Sequence, residues 1–298
     1  MSLQAEIAAS DPLKAGFGEE LHIEARKTQF IMSALNMSMT GQAIIRVSPR
    51  FFASYSLRRP VIETPRGRIK ADSLKCRVLL KTLRQIFRKN QNIASPLERC
   101  EMNLVEGSNT AENPRLHLKL ICQNGVTKTH SLLYADTVPA QQLFTKDTHH
   151  QFTVEPGLIA DFLHHFHPKV VDVALECTPS SVKVRSYYSE TSRLVHADEK
   201  VMHTEFTINS SAFLSYGVKG SVQIAFNLKE FRTVLTYAAE LQSPLKAFFD
   251  EPGKPIVFAV QQPDAIHADF AVMTHPDDPV ESQLSNNLSG YSFRSGVS

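Results

Sequence analysis

The sequence predicts an α+β fold built twice over, with antiparallel sheets outside and a few short helices gathered on one common inner side. Three observations predict it: strand-length runs that alternate with period two between turn residues, three short amphipathic segments, and an eight-residue repeat at half the chain length.

Leu116, Leu118, Leu120 and Cys122 alternate with His117, Lys119 and Ile121 and lead through Asn124-Gly125 into a second run over 126–133. Alternation commits one row of side chains to a core, and Asn-Gly tolerates the positive φ angles of a type I′ turn, so the stretch reads as a hairpin. Val171, Val173 and Leu175 alternate before Thr178-Pro179-Ser180-Ser181, after which Val182 and Val184 resume. Residues 246–249 and 256–260 flank the turn cluster Asp250-Glu251-Pro252-Gly253.

The helices follow from 3.6-residue spacing. In 81–89, Leu83, Ile86 and Phe87 form the apolar stripe and Lys81, Arg84 and Arg88 share the other face, with Lys89 closing the segment. In 228–239, Leu228, Phe231, Leu235 and Ala238 turn inward, leaving Lys229, Arg232, Thr233 and Thr236 outside. A third, 157–167, buries Leu158, Ile159, Phe162, Leu163 and Phe166 and leaves Asp161, His164 and His165 outward. Leu80-Lys81-Thr82-Leu83-Arg84-Gln85-Ile86-Phe87 and Leu228-Lys229-Glu230-Phe231-Arg232-Thr233-Val234-Leu235 match at six of eight positions in type, and each copy follows a strand and precedes others. That placement makes the repeat architectural. The halves meet in 135–150, where Val138-Pro139 and Lys146-Asp147-Thr148 read as a linker.

With 298 residues, 42% of them hydrophobic, the chain is long enough for two cores of ordinary size. A net charge of +2 does not single out a nucleic-acid binder, but its distribution is uneven: 46–89 holds 13 basic residues against Glu63 and Asp72. Lys and Arg on helices suit phosphates without reading bases, so binding would be sequence-independent and salt-sensitive, although a solvated basic face is the alternative. Aromatic residues do not interleave with them, which disfavours single-strand recognition.

Other chemistries find little support. The four cysteines, Cys76, Cys100, Cys122 and Cys177, form no C-x-x-C pair and fit a reducing compartment, while the N-terminus lacks a secretory pattern and no run is long enough for a membrane span. In His164-His165-Phe166-His167 only His164 and His167 approach one helical face, so solvated or phosphate-facing histidines are expected before a metal. The phosphate-cradling and nucleophile-elbow motifs are missing, and Asp277-Asp278 lies in the tail. No catalytic residue, metal or cofactor is expected. The serine-rich 276–298 reads as a disordered tail with possible phosphorylation sites.

Cys76-Arg77-Val78-Leu79-Leu80-Lys81, Asn124-Gly125-Val126-Thr127-Lys128-Thr129-His130, Asn227-Leu228-Lys229-Glu230-Phe231-Arg232 and Phe249-Asp250-Glu251-Pro252-Gly253-Lys254-Pro255 resemble the Rad-nine family of DNA-damage checkpoint clamp subunits, over about 18–274. The resemblance implies two PCNA-like domains, 18–134 and 151–275, joined by a connector at 135–150, with helices lining a channel. It implies a non-enzymatic subunit of a heterotrimeric ring in the nucleus. That ring is made with two related subunits, set on duplex DNA by an ATP-driven clamp loader, and it recruits checkpoint and repair proteins. By position it places subunit interfaces on the strand carrying Val126, Lys128, His130 and Leu132 and on a strand carrying His203, Glu205 and Thr207. Leu143 and Phe144 of the connector are then either partner-facing or core. The family begins with a strand and a channel-lining helix that 1–17 does not match, so both are expected to be missing; 56–73 is longer than the family's segment. Competing readings are a homotrimeric replication clamp, which the serine-rich tail disfavours, and a nuclease, which needs carboxylates clustered around two metal ions about 4 Å apart.

Overall fold

A computed structural model describes residues 2–5, 17–57, 61–64, 67–70, 73–87, 97–105, 114–137, 141–188 and 203–276. The first half comprises β1 (Ser2–Ala5), β2 (Glu20–Arg26), β3 (Phe30–Leu35), β4 (Gly41–Val47), β5 (Ser54–Tyr55), β6 (Val61–Thr64), β7 (Gly67–Lys70), β8 (Ser73–Leu79), α1 (Leu80–Phe87), β9 (Leu97–Val105), β10 (Arg115–Cys122) and β11 (Thr127–Leu133). The second comprises β12 (His150–Val154), α2 (Pro156–Leu163), β13 (Asp172–Cys177), β14 (Ser181–Tyr187), β15 (Glu205–Asn209), β16 (Ser215–Gly217), β17 (Val222–Asn227), α3 (Leu228–Glu240), β18 (Leu245–Phe249), β19 (Pro255–Gln262) and β20 (Ile266–Met273).

These strands form a nine-stranded sheet ordered β16-β12-β18-β19-β20-β4-β3-β2-β8, a five-stranded sheet ordered β5-β1-β9-β10-β11, a four-stranded sheet ordered β15-β14-β13-β17, and the separate pair β6-β7. The nine-stranded sheet is two blocks, five strands of the second half and four of the first, joined antiparallel by β20 and β4 from Ile266↔Val47 to Val272↔Gly41. The other two sheets repeat those blocks: β5-β1-β9-β10-β11 has the order of β16-β12-β18-β19-β20, and β15-β14-β13-β17 has the order of β4-β3-β2-β8. Helices α1 and α3 follow equivalent strands, β8 and β17, so the repeat read from eight residues extends through the architecture.

Alternation decides which face is filled. Ala43, Ile45 and Val47 of β4 and Ala268, Phe270 and Val272 of β20 point into the main core, which also takes Leu80 and Leu83 of α1, Ile159 and Leu163 of α2 and Phe231 and Leu235 of α3. On the opposite face, Ile44, Val257 and Ala271 are covered by Phe144 of the chain linking the halves. Gly18 enters β2 with φ +81°, and a Cβ there would stand 2.4 Å from the Leu35 carbonyl oxygen, so only glycine fits without displacing β3.

Several expectations change. A first strand is present: β1 pairs with β9 and β5, because the ladder groups of β9 need a partner and backbone pairing makes little demand on sequence. The helix expected to be missing after it would fall in 6–16, outside the described residues. The hairpin at 122–126 is closed by Cys122 N–H to Val126 O and Gly125 N–H to Cys122 O, both 2.9 Å. Among its residues only Gly125 has positive φ, so it is a three-residue loop and not a type I′ turn. Helix α2 stops at Leu163, short of the expected His167; the chain goes on in tight turns, with His165 N–H donating to Phe162 O at 3.1 Å and Phe166 N–H to Leu163 O at 3.3 Å, and Pro168 disfavours helix at His167. Phe166 is nevertheless buried, while Phe162 remains 37% exposed. In the long segment 56–73, β6 and β7 pair as a short ribbon where the second half has only residues 218–221 between β16 and β17.

A polar tie joins the halves beneath these sheets. Asn227 caps α3 by accepting from the N–H groups of Lys229 and Glu230, and the buried Glu230 side chain turns back to accept from Asn36 Nδ2 in the β3–β4 turn at 2.8 Å. Burial raises the Glu230 pKa, with the nearby Asp172 adding to it and the Asn36 hydrogen bond and Lys229 opposing. A raised carboxyl pKa penalises folding as pH climbs from the ordinary carboxylate range through the folded-state value, after which the penalty is constant. Glu230→Gln keeps an oxygen for Asn36 and removes the charge. It should therefore melt above the parent at pH 7, with the difference vanishing below about pH 4; a difference independent of pH would contradict this.

Candidate DNA-facing helices and assembly edges

The helical cations separate by role. Lys81 is exposed on α1 opposite Leu80 and Leu83, and Arg84 is half-buried on the same helix. Lys229 is exposed in the first turn of α3. Arg232, one turn on, donates from Nη2 to the Leu163 carbonyl at 2.9 Å, so it closes the C-terminal end of α2 as well as carrying charge on the helix surface. His164 and His165 are exposed, but they lie at and beyond the C-cap of α2 and not along its face. Arg88 and Lys89 lie outside the described residues. Among the described residues no group of three His, Cys, Asp or Glu could hold a metal ion.

The basic run 46–89 is not one surface. Arg46 lies on the face away from the helices, where its Nη1 meets Asp269 Oδ2 at 2.9 Å and its Nη2 donates to Gln142 Oε1 at 2.9 Å. Arg77 pairs with Glu20 at 2.9 Å. Charge counting along the sequence could not see this, because β4 and β8 turn alternate residues to opposite faces.

The segment 141–146 is fastened across the β20–β4 junction. Gln42 Nε2 donates to the Gln141 carbonyl at 2.8 Å, the Leu143 N–H donates to Gln42 Oε1 at 3.0 Å, and Lys146 meets Asp269 Oδ1. Phe144 is core here, whereas Leu143 is 63% exposed. Beside it opens a groove of about 890 Å³ lined by Arg46, Lys146, His267 and Asp269 among others. Burial holds the His267 imidazole below its ordinary range against the pull of Asp269, with Lys146, Arg46 and Lys246 adding to the depression.

Among the described residues, β11 and β15 are sheet edges with no further strand beside them. β11 ends the five-stranded sheet, its inward row half-buried Lys128, His130 and Leu132, with the expected Val126 just before the strand and 44% exposed. β15 ends the four-stranded sheet, with Glu205 and Thr207 on the strand's exposed row and His203 just before the strand. The inward row is Phe206 and Ile208, which sequence reading missed although their alternation with Glu205 and Thr207 was visible. Phe206 stacks on Phe162 of α2 with ring centroids 4.6 Å apart and meets Phe166 edge-on at 5.9 Å. Among the described residues no strand pairs with this aromatic edge.

The profile of the Rad9 family matches residues 14–275. The DNA repair protein rad9 of Schizosaccharomyces pombe is 23% identical over 287 residues, spanning 88% of this chain and 67% of the relative. The cell cycle checkpoint control protein Rad9 of Drosophila melanogaster is 24% identical, spanning 88% of this chain and 52% of the relative. The chain thus spans about two thirds of the yeast protein and about half of the fly protein. Among solved structures, PCNA from Thermococcus kodakaraensis aligns with a TM-score of 0.65 at 13% identity, covering 92% of this chain and 99% of that one. A. fulgidus PCNA, solved with the C-terminal region of FEN-1, aligns at 0.66 and 8% identity, covering 93% and 99%. The sheets are those of a PCNA-like sliding clamp, and the chain belongs to the Rad9 family.

Proposed function

We propose that the chain is a non-enzymatic subunit of a DNA-damage checkpoint clamp, forming a heterotrimeric ring with two related subunits around duplex DNA. The observation that carries this reading is the sheet order: one five-strand block and one four-strand block join at β20–β4, while the matching blocks end at β11 and β15 with no further strand among the described residues. Joining β11 of one subunit to a β15-type edge of the next reproduces that junction and continues from subunit to subunit until the ring closes. In this reading the domains are 18–134 and 151–275 with a connector at 135–150, and β1 at Ser2–Ala5 adds a strand to the first.

In this reading Lys81, Arg84, Arg88, Lys89, Lys229 and Arg232, with His164 and His165 at the end of α2, attract phosphates without selecting sequence. An ATP-driven loader opens and places the ring, the outer face and the 276–298 tail recruit checkpoint and repair proteins in the nucleus, and tail serines accept phosphate. Co-expression with the two related clamp subunits should give a one-to-one-to-one complex by size exclusion with light scattering. A stable homotrimer of this chain alone would contradict the heterotrimeric reading.

A further inference from the structure

The repeated blocks fix a register for the open edges. Val126 and Ile266 are each the first residue after a three-residue hairpin loop, 123–125 and 263–265. Ile208 and Val47, both 4% exposed, each precede the residue that caps a short 3-10 turn, Asn209 and Ser48, with φ/ψ of −68/146 and −67/144. The contact Ile266↔Val47 therefore transposes to Val126 opposite Ile208, and antiparallel pairing carries on through Thr127–Thr207, Lys128–Phe206 and Thr129–Glu205 to His130–Thr204.

Within the chain, the inward row of this junction matches bulk to space, Ala268 against Ile45 and Phe270 against Ala43, with no polar side chain. Transposed onto a second copy, the same positions set the Lys128 ammonium against Phe206 beneath Phe162 and the His130 imidazole against Thr204. The acid of β15, Glu205, stands in the exposed row and does not reach inward. An ammonium covered by aromatic rings gains a cation–π contact, but that returns less than the loss of hydration when no carboxylate accompanies it.

We propose that the neighbour seated on β11 presents a carboxylate in its inward row opposite Lys128 or His130, while the neighbour seated on β15 presents an aliphatic inward row that packs over Phe206 and Phe162. The two neighbours then differ chemically from each other, and neither edge fits the opposite edge of a second copy. This inference rests on the reading of β11 and β15 as ring edges, and it adds what selects each neighbour.

The test uses the full chain co-expressed with the two related clamp subunits, as parent, Lys128→Glu/His130→Glu, Lys128→Gln/His130→Gln and Phe206→Asp. The Glu pair should lose one neighbour and keep the other as a two-subunit complex, weakening the β11 contact at least about tenfold. The Gln pair should weaken the same contact less, and Phe206→Asp should release the other neighbour. Melting of the Glu and Gln pairs alone should match the parent, since Lys128 and His130 are half-open without a partner, whereas Phe206→Asp also loses its stack on Phe162 and should melt below the parent while staying folded. Assembly of the Glu and Gln pairs like the parent would overturn this inference and leave the ring reading standing. A parent chain that joins neither subunit would overturn the ring reading, and the inference with it.

Discussion

Replacing Lys81, Arg84, Lys229 and Arg232 together by alanine in the assembled ring will reduce the slope of log K against log salt by about three to four, because each phosphate contact releases close to one counterion. The loss will be the same for every duplex sequence, since none of these side chains is expected to read a base edge. Lys81 and Lys229 are the cleanest members, exposed on the helix side opposite buried Leu83 and Phe231. Arg232 is different. Its alanine variant also uncaps the Leu163 carbonyl of α2 and should cost about 1 kcal/mol of stability by itself. A ring carrying all four replacements with the parental salt slope would mean that these helices do not face DNA.

Phe270→Ala should destabilise the chain by about 3–5 kcal/mol. Phe270 is 1% exposed on β20, opposite Ala43 of β4, with ring centroids 5.6 Å from Phe17 and 5.2 Å from Tyr237. It therefore fills the junction of the two halves from three sides, and the small Ala43 cannot collapse into the space it leaves. Leu143→Ala, at an exposed position of the linking segment, should stay within about 0.5 kcal/mol of the parent. Urea denaturation measures both, and a shift below about 1 kcal/mol for Phe270→Ala would contradict the packing described.

Local chemistry was legible where it decides structure locally. The alternation of Leu116, Leu118 and Leu120 gave β10, and the apolar stripe of Leu228, Phe231 and Leu235 gave α3, which is stable as read because Asn227 caps it. The eight-residue repeat led to the paired blocks. What escaped depends on contacts distant in sequence. Arg46 counts toward the basic run 46–89, yet its partners Asp269 and Gln142 lie 223 and 96 residues away. Arg232 gains its structural role from a carbonyl 69 residues earlier. Strand β1 was read as missing because its sequence does not match the family, whereas the ladder it completes asks only for backbone. On β15 the expected interface residues Glu205 and Thr207 occupy the exposed row, while the inward row, Phe206 and Ile208, is defined by packing on α2 that lies outside the local sequence.

The measurement that bears most directly on a clamp that encircles DNA is topological. The three-subunit complex, loaded by its clamp loader with ATP onto a nicked circular plasmid, should remain bound in salt high enough to screen phosphate contacts, because a closed ring is held by linkage and not by charge. Cutting the plasmid once should then release it from the free ends. Equal retention on linear and circular DNA, or release from the intact circle by salt alone, would contradict encirclement.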